Sequence, residues 1–492
     1  MTAGGRIGGA GVPPACVADI LSACGEGVPP SCVADILSAS SLFPDVSFFS
    51  SSLAKQEQRQ EQQQHQQQKQ QQQRQDAGRM PAAHAEKMSA TREAKMASPH
   101  AGGTPASHPR RVLIVKPSSL GDVVTAMPVL RGIRRTFPQA HVSWLVARSC
   151  EDLIRHDSAL DEVILFDRRH LGKAWRSPRA AWDLLALLRQ LRRGKFDWVI
   201  DLQGLLRSAL FAAATRAPVR CGFADAREGA AMFYSHAVRV TAQHTVQRNL
   251  ELAATLGIDA RPEDFTLEVS PEGKDFAREF LRDHNLRAKE FIVCVPPTRW
   301  PTKLYPVRHW RTVVGALAQL RTVVLVGAPG DRELCESILC GTGILPVCDA
   351  GVSPACAAGI LPASSPSSPA KALAGLLEDT GLNIPTIFNL AGQTSVAQMV
   401  GLIAASGGVI CSDSAAKFIA PAVGVNAIAL LGPTRVESTG PYVPAPQVQA
   451  ESVIAPVACQ GCLKRRCRHC TCMELIEPKR VIDAAKRLFD LG

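Results

Sequence analysis

The segment Lys116-Pro117-Ser118-Ser119-Leu120-Gly121-Asp122 places a carboxylate where a predicted helix follows a short apolar run. Gly121 permits a tight turn, and Asp122 stands where the helix begins. Asp is a preferred residue at a helix N-terminus, so a capping role is enough to explain it. A carboxylate at the mouth of a cleft can also act as a general base that takes a proton from an attacking hydroxyl. The segment by itself favours the cap.

Three further segments offer positive charge or backbone N–H groups to an anion. Lys303 stands at a predicted strand-to-helix turn, where a cation either stabilises a departing phosphate or faces solvent. Ser412–Ala416 follows a predicted strand and opens a helix, which is an anion-binding arrangement. Gly432-Pro433-Thr434 follows the next strand and is either a second ligand loop or an ordinary turn. Together these segments predict a phosphate-binding site.

Five cysteines lie close together near the C-terminus, at positions 459, 462, 467, 470 and 472. Four basic residues are interleaved with them: Lys464, Arg465, Arg466 and Arg468. Four thiolates suit a tetrahedral zinc ion or an iron–sulfur cluster, and the cations would partly neutralise them. Reduced or reversibly paired thiols are the other interpretation, because a reducing cytoplasm disfavours permanent disulfides. We expect a structural zinc ion ahead of the other two.

Short apolar runs alternate with helical stretches from residue 111 onward, in two series. The first series is Val112–Val115, Val142–Val146, Val163–Phe166 and Trp198–Asp201. The second series is Phe291–Val295, Thr322–Val326, Val409–Cys411 and Ala427–Leu431. Such alternation is typical of parallel sheets covered by helices, and the ligand crevice of such a sheet lies at the carboxyl ends of its strands. The segments described above fall at those ends.

A polar, charged helical stretch separates the two series. We therefore predict an α/β protein with two Rossmann-like lobes, an N-terminal lobe at 109–270 and a C-terminal lobe at 288–492, joined by a linker helix at 271–287. A single helix after the Lys116–Asp122 loop is predicted from the spacing of five apolar residues. These are Val123, Met127, Leu130, Ile133 and Phe137.

Residues 1–108 lack the pattern of a domain. GVPPACVADILSA at 11–23 recurs as GVPPSCVADILSA at 27–39, and a third relative, GVSPACAAGILPA, lies far downstream at 351–363. A glutamine-rich tract at 55–75 cannot bury enough apolar surface to offset its ordering entropy. We predict a disordered low-complexity extension at 1–108. We also predict a poorly ordered, repeat-bearing surface loop at 341–372.

The charge balance points to an anionic partner. The chain has 55 Lys and Arg against 44 Asp and Glu, and because residues 1–108 hold nine of each, the net +11 falls on 109–492. Nucleic acid, phospholipid or a phosphorylated substrate would suit such a surface. With 46% hydrophobic residues the chain is not wholly disordered or collagen-like. No secretory signal and no membrane-spanning apolar run is visible, so we expect a cytoplasmic protein.

The stretch RVLIVKPSSLGDVVTAMPVLRGIR at 111–134 resembles the opening of glycosyltransferase family 9, the heptosyltransferases that build the inner core of lipopolysaccharide. The likeness continues in family order through seven more stretches. These are DLQGLLRSAL (201–210), GFADAREGAAMFY (222–234), HTVQRNLELAATLGI (244–258), KLYPVRHW (303–310), LAGQTS (390–395), CSDSAAKFIAPAVGV (411–425) and ALLGPT (429–434). It covers nearly all of 110–492 apart from the repeat insertion.

The resemblance implies a GT-B fold, in which two Rossmann-like lobes face a cleft. It implies an inverting transfer of heptose from ADP-heptose, with no metal or other cofactor in catalysis. The implied acceptor is a Kdo sugar on lipid A, an anionic glycolipid, so we expect peripheral contact with the cytoplasmic face of the inner membrane. Nucleic acid is not an expected partner. The family pattern makes Asp122 the general base, and one carboxylate can serve as both cap and base.

The same resemblance distributes the remaining site residues. The donor set is Lys303, Asp413, Ser414, Ala415, Lys417, Gly432, Pro433 and Thr434. The acceptor set is Lys116, Ser118, Ser119, Gly121, Arg207 and Arg227, with Arg168 and Arg169 added because they follow a predicted strand end. Arginine suits a carboxylate or phosphate because its planar fork donates two bonds. The residues that best match the terminal cysteine cluster of some family members are Cys459, Cys462, Cys467 and Cys472, the expected zinc ligands.

The sequence departs from the family at one donor segment. The family pattern is Asp-Thr-Gly-x-x-His, and this chain has Ser414, Ala415 and Phe418 at the last three specified positions. A different sugar nucleotide, or a catalytically weak homologue, is therefore the alternative. An alternative of another class is a nucleic-acid-binding protein built on the basic cysteine cluster. The scattered aromatic residues form no recognisable platform for stacking bases, which argues against it.

Overall fold

The computed structural model describes residues 108–173, 176–340, 346–347 and 386–491. The extension predicted at 1–108 therefore lies outside the described residues, except for its last residue. The surface loop predicted at 341–372 also lies outside them, except for the backbone of Pro346–Val347. The predictions of disorder for both segments stay predictions.

The N-terminal part of the described chain forms one sheet of six parallel strands. They are β1 (Arg111–Val115), β2 (His141–Ala147), β3 (Glu162–Phe166), β4 (Trp198–Asp201), β5 (Val219–Phe223) and β6 (His236–Val238). Their spatial order is β3-β2-β1-β4-β5-β6. The central strand β1 pairs with β2 and β4 and is buried on both faces, which explains its unbroken run of branched apolar residues.

Six α-helices of the described residues accompany this sheet. They are α1 (Leu120–Val124), α2 (Met127–Thr136), α3 (Arg168–Leu171), α4 (Pro178–Arg193), α5 (Leu206–Thr215) and α6 (Thr245–Thr255). Short 3-10 turns lie at Arg148–Leu153, Ala230–Phe233 and Pro262–Asp264.

The described residues of the second sheet form seven parallel strands in the order β13-β12-β11-β7-β8-β10-β9. They are β7 (Phe291–Val295), β8 (Thr322–Leu325), β9 (Pro346–Val347), β10 (Ile387–Asn389), β11 (Gly408–Ser412), β12 (Ala427–Leu430) and β13 (Ala450–Val453). Its helices are α7 (Pro271–Asp283), α8 (Val307–Ala318), α9 (Arg332–Leu339), α10 (Val396–Ala405), α11 (Ala416–Ala422), α12 (Val436–Thr439), α13 (Thr471–Glu474) and α14 (Pro478–Leu488). Short 3-10 turns lie at Pro301–Lys303 and Pro329–Asp331. The predicted α/β architecture with two parallel sheets is confirmed.

The single helix predicted after the Lys116–Asp122 loop is wrong, because the chain forms α1 and α2 with a break between them. Pro128 stands in the first turn of α2 and has no N–H to continue a helix from α1. Thr125 ends α1, and its hydroxyl donates to the Asp122 carbonyl at 2.8 Å. The apolar spacing was still informative, since Val123, Met127 and Leu130 are fully buried.

The helix predicted as a linker, α7, packs closely against α10 of the second sheet. A Cβ built on Gly401 of α10 would lie 1.9 Å from the carbonyl oxygen of Gly273 in α7. Glycine at this position therefore allows two helix backbones to touch.

The two sheets meet along α1, the start of α6 and α11. The Leu267 N–H donates to the Ala422 carbonyl at 2.9 Å. The Gln247 amide donates to the Tyr442 hydroxyl at 2.7 Å. Apolar residues of both lobes join one buried core across this boundary. Within the described ranges, no helix is long and apolar enough to cross a membrane.

Candidate active site between the two sheets

Asp122 lies in the first turn of α1, directly after the central strand β1, and is half-buried. The Ser119 N–H and hydroxyl both donate to its Oδ2, at 2.7 and 2.9 Å. The N-cap of α1 is thus Ser119 rather than Asp122, and Asp122, at the third helical position, forms the acidic half of a capping box. Among the described residues no hydrogen bond occupies Oδ1, so one carboxylate oxygen can cap the helix while the other meets a hydroxyl.

Lys116, at the end of β1, is buried behind this loop. Its Nζ donates to the Leu202 carbonyl at 2.6 Å, and the residue is only 4% exposed. Burial lowers the pKa of Lys116, while the carboxylates of Asp122 and Asp201 act in the opposite direction. The structure thus places this predicted acceptor-binding cation inside the lobe, where it acts on Asp122 through space.

On the opposite sheet, Asp413 follows β11 and gathers three partners around one buried carboxylate. Lys303 Nζ lies 3.0 Å from Oδ2, Lys417 Nζ is ion-paired with Oδ1, and the Thr434 hydroxyl donates to Oδ2. Burial alone would raise the pKa of Asp413, but the two lysine charges outweigh it, so the pKa is lowered. Two cations around one carboxylate leave a net positive charge, which suits an anionic ligand.

The two lysines differ in access. The Lys303 side chain is 15% exposed and the Lys417 side chain 4%. Lys303 ends the short turn Pro301–Lys303 and its Nζ lies 4.3 Å from the centre of the Trp300 ring. Burial lowers the pKa of Lys303, and Asp413 opposes that shift. Lys303 is therefore the more accessible of the two cations. Asp413 holds it, and Lys417 and Thr434 bind the same carboxylate.

Gly121 lies at a close contact between the two lobes. A Cβ built there would lie 3.0 Å from Phe418 Cδ2 and 3.5 Å from the Ala415 Cα. The sequence suggested a tight turn for Gly121, and the structure shows that close approach of α11 also requires a small residue. Ser414 lies beside this contact, and its Oγ is buried with no hydrogen-bond partner among the described residues.

Of the four predicted acceptor arginines, two come together. Arg168, at the start of α3, and Arg207, in α5, line one cavity with apolar residues of α3, α4 and α5. Arg169 is exposed beside Arg168, and Arg227 is exposed in the loop after β5, where its N–H donates to the Gly204 carbonyl. Ser118 is half-buried in the Asp122 loop. Arg227 is therefore not among the residues that line the cavity of Arg168 and Arg207.

The cysteine-rich segment, defined here as residues 459–472, packs on two of the three predicted donor segments, the turn at Lys303 and the loop Gly432–Thr434. The Leu463 N–H donates to the Pro433 carbonyl at 2.7 Å. The Thr302 hydroxyl donates to the Lys464 carbonyl at 2.9 Å. Gly432, Pro433 and Thr434 are buried beneath it.

The four predicted zinc ligands are not gathered into one cluster. Among the described residues, no three His, Cys, Asp or Glu side chains form a group that could hold a metal ion. Cys459 and Cys462 are exposed, whereas Cys472 is buried and its pKa is raised by burial to about 11. The zinc site stays a prediction.

Sequence reasoning missed two residues beside Lys303. The guanidinium of Arg465, from the cysteine-rich segment, lies 4.8 Å from the centre of the Trp300 ring, which Lys303 also contacts. Trp300 stands only three residues before Lys303, and Arg465 belongs to the noted run of basic residues. Only the fold could bring Arg465 to Trp300, because they are far apart in sequence.

His244 also lies close to the cleft, but as a structural residue. It caps the start of α6, its Nε2 lies 3.0 Å from the Gly440 carbonyl oxygen, and its ring stacks on Tyr442. Burial lowers the pKa of His244. The residue therefore helps join the two lobes in its neutral form.

Two parallel sheets that face each other, with a carboxylate loop on one and a lysine cluster on the other, define a glycosyltransferase of the two-lobed GT-B class. The chain belongs to glycosyltransferase family 9 (heptosyltransferase), whose sequence profile matches residues 184–348 and 359–472. The resemblance noted in the sequence is thereby confirmed, and the protein is an enzyme.

Lipopolysaccharide heptosyltransferases from two bacteria are similar to this chain. Lipopolysaccharide heptosyltransferase 1 of Escherichia coli K12 is 31% identical over 247 residues, which cover 48% of this chain and 74% of that protein. Lipopolysaccharide heptosyltransferase 1 of Pseudomonas aeruginosa is 29% identical over 366 residues, covering 73% of this chain and 88% of that protein.

The fold is similar to that of solved heptosyltransferases. The structure of E. coli heptosyltransferase WaaC with ADP superposes with a TM-score of 0.55 at 23% identity, covering 77% of this chain and 99% of that one. This likeness confirms the GT-B fold.

Proposed function

We propose that the enzyme transfers heptose from ADP-heptose to a Kdo sugar of the lipid A inner core of lipopolysaccharide. The supporting observation is that Asp122 and the Lys303–Asp413–Lys417 cluster lie on facing lobes, on either side of the contact between Gly121 and Phe418. The two relatives named above are both lipopolysaccharide heptosyltransferase 1. The related WaaC structure contains ADP.

In the proposed reaction, Asp122 takes the proton of the acceptor hydroxyl, and the hydroxyl oxygen attacks the anomeric carbon of the heptose. The bond from that carbon to the ADP oxygen breaks, so ADP leaves with the electron pair, and the anomeric configuration inverts. Lys303 stabilises the negative charge that collects on the leaving diphosphate. The protein contributes two side chains to this step, Asp122 as the base and Lys303 as the cation beside the leaving group.

Acceptor binding is proposed for Arg168 and Arg207, the two arginines that line one cavity. A Kdo carboxylate and lipid A phosphates both suit the bidentate guanidinium. Because such an acceptor is embedded in a bilayer, we also propose peripheral contact with the cytoplasmic face of the inner membrane.

A different sugar nucleotide is the second candidate, and Phe418 favours it. This residue is 6% exposed, packs at the lobe contact, and stands where the family pattern has a polar histidine. A pocket with an apolar ring at that point would contact the donor differently from one with an imidazole.

Thermal shifts with a panel of nucleotides and sugar nucleotides test both candidates. A ligand at one hundred times its Kd stabilises the folded state by about 2.7 kcal/mol. We expect ADP and ADP-heptose to raise the Tm, and UDP- and GDP-sugars to leave it unchanged. A shift only with UDP- or GDP-sugars would replace the proposed donor with the alternative.

The zinc prediction concerns structure rather than the transfer step. We propose it for Cys459, Cys462, Cys467 and Cys472, whose side chains would have to approach one another to share an ion. Elemental analysis of protein purified anaerobically without chelator checks this proposal. Absence of stoichiometric metal would contradict it.

A further inference from the structure

Helix α4 (Pro178–Arg193) presents an apolar and strongly basic face to solvent. Trp182 is 64% exposed and Leu185 is 40% exposed, and they are two of the five large hydrophobic side chains exposed in the described part of the chain. They lie three residues apart, on the same side of the helix. The opposite side, with Ala180, Leu187 and Leu191, is buried against the lobe.

Charge is concentrated around these two apolar residues. Residues 168–195 contain nine Lys and Arg and a single acidic residue, Asp183, so this short stretch carries most of the net +11 of the chain. Asp183 is already paired with His170, with 2.7 Å between His170 Nε2 and Asp183 Oδ2. Four arginines of α4 itself are exposed, namely Arg179, Arg189, Arg192 and Arg193.

From this combination we infer that α4 is the surface with which the enzyme docks on an anionic lipid bilayer. A Trp and a Leu flanked by arginines are typical of helices that lie in the membrane interface, since the rings enter the headgroup region while the cations meet lipid phosphates. Arg189 lies over the Trp182 ring at 5.8 Å, so the cation and the ring would reach the interface together.

The position of α4 connects this surface to the acceptor. Leu184 of α4 lines the same cavity as Arg168 and Arg207. An enzyme resting on α4 would therefore hold its proposed acceptor arginines next to the bilayer. This link rests on the proposed function, whereas bilayer binding by α4 does not.

Co-sedimentation with vesicles tests the inference on the full chain. We expect binding to phosphatidylcholine vesicles that contain phosphatidylglycerol, little binding to phosphatidylcholine alone, and a loss of binding at high salt. Trp182→Ala and the double variant Arg189→Gln/Arg192→Gln should each lower the partition coefficient, the double variant roughly tenfold or more. The matched control is Arg278→Gln/Arg282→Gln, which removes two exposed arginines from α7.

Several results would overturn the inference. These are wild-type protein that ignores anionic vesicles, α4 variants that bind like wild type, or a control that loses binding equally. Salt-sensitive binding of a DNA duplex through the same arginines, without vesicle binding, would assign the surface to nucleic acid instead.

An assay with a water-soluble acceptor that lacks acyl chains distinguishes failure of the bilayer-docking inference from failure of the proposed function. The α4 variants should keep full activity in it, and absence of all transfer by wild type would count against the proposed function alone.

A second, independent inference concerns Arg465. The cysteine-rich segment is joined to two of the predicted donor segments by the bonds from Leu463 to Pro433 and from Thr302 to Lys464. A side chain at Gly432 would lie 2.4 Å from Met473 Sδ and 3.0 Å from Cys472 Sγ, so the layers are in close contact. The segment is therefore held in place against the donor site rather than extended into solvent.

Arg465 and Lys303 share one indole ring, at 4.8 and 4.3 Å from the Trp300 centroid. These two distances place the cations within about 9 Å of each other, and like charges at that range repel unless an anion lies near them. Asp413 partners Lys303, but no ion pair to Arg465 is present in the described ranges. We propose that Arg465 binds the diphosphate of the donor together with Lys303, which rests on the proposed function and adds a residue to it.

Calorimetric titration of the full chain with ADP and with AMP tests this role. Arg465→Gln should weaken ADP binding about tenfold or more, because it removes a charge-assisted bond to the second phosphate, and should change AMP binding much less. The control Arg468→Gln removes a nearby exposed arginine and should leave both affinities unchanged. Unaltered ADP binding by Arg465→Gln would overturn this inference alone, whereas absence of ADP binding by wild type would overturn the proposed donor as well.

Discussion

Lys303 Nζ and Asp413 Oδ2 are 3.0 Å apart, so the cation expected to meet the donor is held by a carboxylate that the sequence had placed in the donor set itself. A carboxylate would repel a diphosphate, and its three partners instead make it the support of Lys303. The same carboxylate is paired with the buried Lys417. The proposed donor-binding cation and the buried Lys417 therefore share one counter-charge, Asp413.

Replacing Asp413 by Asn should destabilise the enzyme by about 3–5 kcal/mol, because two lysines lose their buried counter-charge. Urea denaturation followed by circular dichroism measures the free energy of unfolding. Asp275→Asn breaks an exposed ion pair with Arg278 and should cost less than about 1 kcal/mol. Equal losses in the two variants would show that the Asp413 carboxylate is not the support described here.

The Asp122→Asn variant distinguishes the capping role of Asp122 from its proposed role as a general base. An Asn oxygen can still accept from the Ser119 N–H and hydroxyl, so the Tm should change little. The amide cannot take a proton, so kcat should fall about 10²–10⁴-fold. Radiolabelled sugar transfer under saturating donor measures the change. Ser119→Ala keeps the carboxylate and removes its hydroxyl bond, so it should lower the Tm and yet retain far more activity than Asp122→Asn. Activity that survives in Asp122→Asn would leave the residue only its capping role.

The pH dependence of kcat/KM should show an alkaline limb set by Lys303. Burial lowers the pKa of Lys303 below its ordinary value of 10.5. As the pH rises through this lowered pKa the ammonium loses its proton, its charge no longer stabilises ADP, and kcat/KM falls. Rates across the alkaline range give the profile. Lys303→Arg keeps a charged group at high pH, so the alkaline fall in kcat/KM of this variant should shift to higher pH. An unchanged limb in that variant would assign the titration to another group.

The parts of the fold that depend on local pattern could be predicted from the sequence. The run Val142–Val146 lies inside β2, and Phe291–Val295 matches β7, because buried parallel strands need continuous apolar residues. The Asp122 loop could likewise be predicted from the sequence, since its residues interact with one another.

The features that could not be predicted from the sequence depend on contacts between residues that are far apart in the chain. The edge strand β6 has only three residues, too few to leave a pattern. The burial of Lys116 follows from its bond to Leu202, and the pairing of Lys303 with Asp413 from the packing of two loops. Arg465 reaches Trp300 only because the cysteine-rich segment folds back over the donor loops. These features are determined by tertiary contacts. In the sequence, each partner taken alone resembles an ordinary surface residue.

The close contact between α7 and α10 predicts that even a methyl group at Gly401 destabilises the fold. A methyl group at Gly401 would lie 1.9 Å from the Gly273 carbonyl oxygen and 2.8 Å from its Cα, and both are backbone atoms that cannot rotate away. Gly401→Ala must therefore push the two helices apart, and we expect a loss of about 3 kcal/mol or more in the free energy of unfolding. Ala is otherwise the better helix former, by about 1 kcal/mol, so propensity alone predicts the opposite sign. Gly330→Ala is the matched control, because no atom lies within 4 Å of its added methyl group. Its stability should stay within about 0.5 kcal/mol of wild type. Stabilisation by Gly401→Ala would mean that the two helices do not pack as described.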